Sequence, residues 1–108
     1  MKFYIQSNVA NSRKSYEIIE SEEIFFNKLY EKAITNGLSP NFSLFRLSNG
    51  TINVEYNSYP IGKIKLQGRN KWMMILKNLY DSSHVEGALQ DYINAIDDWI
   101  AYIKQYLG

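Results

Sequence analysis

The stretch FSLFRLSNGTINVEYN, residues 42–57, constrains the fold of this chain more than any other. Two runs rich in β-forming residues flank Asn49-Gly50, a dipeptide suited to tight hairpin turns because both residues tolerate positive φ. A two-residue turn there puts Leu47 opposite Ile52, Phe45 opposite Val54 and Ser43 opposite Tyr56 on one face. Arg46 and Asn53 then pair on the other face. A shift of one residue would exchange the faces, so turn and pattern together predict a specific register.

The neighbouring segments extend the sheet. In SYPIGKIKLQGRNKWMMILKNLY, Ile64 and Leu66 alternate with Lys63 and Lys65, QGRN supplies a turn, and Trp72, Met74 and Leu76 alternate with Met73 and Ile75. Pro60 marks the start of this pair, because proline cannot donate to the middle of a ladder. Gly68 serves the turn, and Gly62 marks a bulge or a close strand contact. The second strand is apolar on both faces, which predicts a central position or a covered far side. KFYIQS reads as an opening strand, NVANSR as a turn, and SYEIIES as a return strand or a lead into the first helix.

Two helices are expected. Ser21 is placed to cap the first, Glu22 and Glu23 suit its positive end, and Phe26, Leu29, Tyr30 and Ala33 recur at helical spacing. Gly37 and Pro40 end it, giving a helix over about residues 22–36. The second is longer, about residues 83–107, with Ser83 and Glu86 as a capping box and His84 in its first turn. Val85, Leu89, Tyr92, Ile96, Trp99, Ile103 and Tyr106 form its stripe, widened by Ile93, Ile100 and Leu107. So wide a stripe either packs across the whole sheet or pairs with a second subunit. The fold class is therefore α+β: an antiparallel sheet of about four to six strands packed by two helices, in the approximate order β-β-α-β-β-β-β-α. Residues 1–108 are expected to form one domain.

Charge is balanced overall at +1 but unevenly distributed. Residues 1–55 net zero. Residues 56–80 hold Lys63, Lys65, Arg69, Lys71 and Lys77 and no acid; residues 81–108 hold Asp81, Glu86, Asp91, Asp97 and Asp98 against Lys104. Either the basic hairpin is matched internally by the acidic helix or the two charges mark separate binding faces, and the internal match is the plainer reading.

Little points to catalysis. The chain has no cysteine, which removes disulfides, thiolate chemistry and cysteine-based metal sites. His84 is the one histidine. Asp91 and Asp98 share a helix face about 10 Å apart by helical rise, too far to chelate one ion, and adjacent Asp97 and Asp98 diverge. A phosphate loop is ruled out because the final Lys-Ser/Thr is absent. No catalytic residue, metal or cofactor is expected.

A non-enzymatic interaction protein is the leading expectation, with a protein partner or a second copy held by Tyr92, Trp99, Tyr102, Ile103 and Tyr106. The alternative is a single-stranded nucleic acid held by Lys63, Lys65, Arg69 and Lys71, with tyrosines to stack on bases. Against it, lysines on a strand are commonly just a solvated face. Trp72 and Trp99 both read as core, with Met73 and Met74 as neighbouring filler. The sequence lacks a long apolar run, so a cytoplasmic protein without a membrane partner is expected.

Overall fold

The computed structural model describes residues 5–7, 17–47, 49–78 and 81–107. Its elements in chain order are β1 (Ile5–Ser7), α1 (Glu20–Thr35), β2 (Phe42–Arg46), β3 (Ile52–Tyr56), β4 (Tyr59–Lys65), β5 (Trp72–Leu76), β6 (Ser82–Val85) and α2 (Leu89–Tyr102), which runs into a π-helical turn at Ile103–Leu107. The strands form one sheet in sequence order. Strands β2 to β6 are an antiparallel meander, and β1 joins β2 in parallel at one edge. The chain is thus α+β with two helices, as expected, but its order is β-α-β-β-β-β-β-α.

The differences have local causes. The expected return strand SYEIIES is not one over its described part: 17–19 are irregular and Glu20 already belongs to α1. The turn expected over NVANSR lies outside the described residues. Helix α1 starts before Ser21, with Ile19 at its N-cap, and the Glu22 carboxylate accepts the Ile19 N–H at 3.2 Å. This is one half of a capping box, since isoleucine has no side-chain acceptor to complete it. The helix ends as expected. Gly37 has φ +79°, its N–H donates to Ile34 O, and the Leu38 N–H donates to Ala33 O. That is a Schellman motif, with Leu38 packed against the core.

The β2–β3 register is shifted by one from the expected one. Leu44 faces Val54, Phe45 faces Asn53, and Arg46 faces Ile52. The Leu47 N–H donates to Thr51 O and the Gly50 N–H to Leu47 O, with Gly50 at φ +89°. The connection therefore has three residues, and its glycine takes the left-handed position that such loops need. Phe45 and Leu47 go to one face of the sheet, and Arg46 goes into the core.

Strand β6 replaces the expected start of the last helix. Ser82–Val85 pairs with β5, so His84 lies on a strand, and Ser83 and Glu86 cap nothing. An apolar β5 gains a ladder partner on its second side this way. Helix α2 begins six residues later than expected, and the Asp91 carboxylate accepts the Ala88 N–H at 2.8 Å.

Both helices cover the same face. Its rows run Arg46, Ile52, Ile64, Met73, Val85 and Leu44, Val54, Gly62, Ile75, Ser83 across five strands. The Tyr30 ring of α1 stacks on Phe42 of β2 at 5.3 Å, while Trp99 of α2 lies over β4 and β5. Phe25 joins the two helices, its ring edge-on to Trp99 at 5.6 Å. A bulge at Val54/Glu55 and Gly62's lack of a side chain make room for the Trp99 indole, whose Nε1 donates to Met74 O at 3.1 Å.

Candidate binding face of the sheet

Alternation along each strand sends every second side chain to the face that neither helix covers. The register lines up Phe45, Asn53, Lys63, Met74 and His84 in one row across β2 to β6, with Lys65 beside Trp72 in the next. Leu76, at the end of β5, instead packs against the core and lines the cleft beside the end of α2. Phe45, Lys63, Lys65, Trp72, Met74 and Leu76 are all half-buried, and His84 is exposed. The Trp72 and His84 rings sit 5.8 Å apart at 43°. Glu55 is an acid on this face, opposite Pro60.

Of the expected nucleic-acid residues, Lys63 and Lys65 project from this face, while Arg69 and Lys71 lie exposed in the β4–β5 loop at its end. The structure therefore brings two of the four together with an aromatic ring and sets the other two at the rim. Trp72 is not core, in contrast to Trp99, because β5 has no layer on its second side among the described residues. Half-buried apolar groups and lysine stems fill that side instead. Phe45 was missed as a site residue because the two-residue turn assigned it to the core.

The internal charge match does not form. Among the described residues the salt bridges are Lys28–Glu31, Lys32–Asp97 and Arg46–Glu22. None joins the basic hairpin to the acidic helix; Asp97 turns to α1. Lys63 and Lys65 project from the open face, whereas Lys77 shares a cleft with Asp98 of α2 without an ion pair to it.

The aromatic helix residues are placed differently from the expectation of a contact surface. Tyr92, Trp99, Tyr102 and Ile103 are buried within the chain's own core, and Tyr106 is 42% exposed, its ring 5.0 Å from Tyr102. The wide stripe is needed because α2 packs against the sheet and α1 at once. No group of three or more acids and histidines placed to hold a metal occurs among the described residues. No helix there is long and apolar enough to cross a membrane.

The polar centre of the protein lies on the other face. Glu22, fully buried, receives Arg46 Nη1 at 2.6 Å, Arg46 Nη2 at 3.0 Å and Gln67 Nε2 at 2.9 Å. Arg46 Nη1 also reaches Gly50 O, and Gln67 Nε2 reaches Glu17 O. This network ties the start of α1 to the β2–β3 turn and the β4–β5 loop. Its Glu22–Arg46 centre is buried, so it serves as a structural clamp, and through Gln67 it anchors the base of the loop that carries Arg69 and Lys71.

Comparisons with protein-family models, curated proteins and solved structures find no match. The function must be argued from these residues alone.

Proposed function

We propose that this chain is a non-catalytic binding protein whose open sheet face takes a single-stranded nucleic acid. The observation that carries the reading is the placement of Trp72, Phe45 and Met74 beside Lys63 and Lys65 on a face covered by neither helix. Apolar rings give bases something to stack on, lysines neutralise phosphates, and a flat sheet lets both act along one strand. Arg69 and Lys71 extend the positive surface beyond the sheet. Self-association through the last helix is the weaker reading, since its large side chains already fill the core.

Trp72 provides its own assay, because the other tryptophan is buried. Titration with an oligothymidylate is expected to quench Trp72 fluorescence, and anisotropy of a labelled oligothymidylate gives the affinity. Binding should weaken with salt by about 0.7 in log–log slope per phosphate neutralised, so Lys63→Ala with Lys65→Ala should lower the slope by about 1.4. Trp72→Ala should lose about 1–3 kcal/mol of binding, the usual worth of one stacked base. Binding that keeps its slope without the two lysines, or equal binding of oligoglutamate, would sink the proposal.

A further inference from the structure

We infer that the free edge of β6 binds an extended, basic segment of a partner protein, which adds as a further strand beside α2. The inference is independent of the nucleic-acid reading and uses the acids around β6 and the end of α2, away from Lys63 and Lys65.

The hydrogen-bond parity of the sheet supplies the first observation. The Lys77 N–H donates to Asp81 O at 2.9 Å, next to the Leu76–Ser82 pair. Bonded pairs alternate along an antiparallel ladder. The Ile75–Ser83 and Met73–Val85 pairs are therefore the bonded ones, and Ser82 and His84 turn their N–H and C=O groups to the free edge. Among the described residues β6 is the last strand of the sheet. Its sequence, Ser-Ser-His-Val, has none of the lysines, prolines or bulges that usually block such an edge.

A groove beside the strand is the second observation. Between β5–β6 and the end of α2 lies a cleft of about 400 Å³. Ser83 forms its strand wall, Ile75, Leu76 and Tyr102 give it an apolar lining, and Asp98 stands at its rim. An added strand would place alternate side chains on the groove side, where one apolar group finds this lining.

Charge selects the occupant. Asp81 and Glu86 flank the two ends of β6, and with Asp98 they take part in no salt bridge among the described residues. Lys77 is the one base in the groove lining. Residues 81–108 carry five acids and one lysine, so two copies joined edge to edge would bring like charges together. A segment with a lysine or arginine on each side of an apolar residue meets complementary charge at both ends.

The test uses the peptide Lys-Val-Thr-Val-Lys as probe and Glu-Val-Thr-Val-Glu as control, followed by amide NMR shifts of the full chain. The lysine peptide should shift the Ser82 and His84 amides saturably, and the glutamate peptide should not. His84→Pro deletes an outward N–H without touching the β5 ladder, so the fold should survive and binding should fall about tenfold. Should that variant not fold, Glu86→Lys with Asp98→Lys serves instead and should exchange the preference between the two peptides. Unmoved β6 amides at millimolar lysine peptide, an undiminished affinity in a folded His84→Pro variant, or an unchanged preference after charge reversal would each overturn the inference. So would wild-type protein that is a dimer with its Ser82 and His84 amides already protected.

Discussion

Removing Glu22 should test how the two sides of this protein are held together. The carboxylate is fully buried and accepts four described hydrogen bonds, two of them from Arg46, whose side chain is itself only 6% exposed. Glu22→Ala takes from the buried Arg46 guanidinium the carboxylate it pairs with, a change that costs about 3–5 kcal/mol. Arg46→Ala strands the carboxylate instead and should cost a similar amount. Domains of this size are stable by about 5–15 kcal/mol, so either variant loses a large fraction of the total. The double variant Glu22→Leu, Arg46→Met removes both charges and keeps the volume. It also takes the Arg46 donor from the Gly50 carbonyl, at about 1–3 kcal/mol for an unmet buried group. It should therefore be more stable than either single variant. Urea unfolding of the four proteins, followed by far-ultraviolet circular dichroism, closes the cycle. Single costs below about 1 kcal/mol that simply add in the double would mean a solvated pair, and the clamp would be wrong.

Two further outcomes follow from the packing. Gly62→Ala places a methyl group against the Met74 carbonyl oxygen and 2.5 Å from Trp99 Nε1, and a backbone atom cannot step aside. Thermal denaturation should register a loss of about 3 kcal/mol or more, the upper end for overpacking; a loss under about 1 kcal/mol would show that the indole does not lie over Gly62. Burial raises the Tyr30 phenol above its usual value of 10.0. The native state then holds its proton while the unfolded chain releases it, so stability should fall as pH rises through 10. Tyr30→Phe should flatten part of that alkaline decline in urea midpoints, and an unchanged slope would exclude Tyr30 as a cause.

Much of this architecture could be read from the residues. The β4–β5 pair, the Gly37 stop and the inward line Ile52, Val54, Tyr56 all stand as expected, because turn chemistry and alternation agree there. The β2 register could not be read the same way. FSLFRL has Phe42 and Leu44 on one parity and Phe45 and Leu47 on the other, so either face looks apolar, and Asn49-Gly50 fits a two- or a three-residue connection. The deciding partner was Glu22, twenty-four residues away, which draws Arg46 inward. Ser83 and Glu86 misled in another way: the spacing of a capping box lacks any record of the strand beside it. The binding face suffered from both errors, since it gained Phe45 and His84 from segments assigned elsewhere. Lys63 and Lys65 were legible because their strand has one polar side.

The position of α2 after the six described strands also matters for a chain that is still being made. Ile64, Met73 and Ile75 are covered by a helix whose buried residues run to Ile103. The ribosome adds the 28 residues from Leu76 to Ile103 in roughly 1–6 s at ordinary elongation speeds. Throughout that interval the completed strands present an apolar surface to the cell. The glycine notch at residue 62 stays empty until its tryptophan emerges, so a nascent chain stalled short of Trp99 would be a natural client for chaperones.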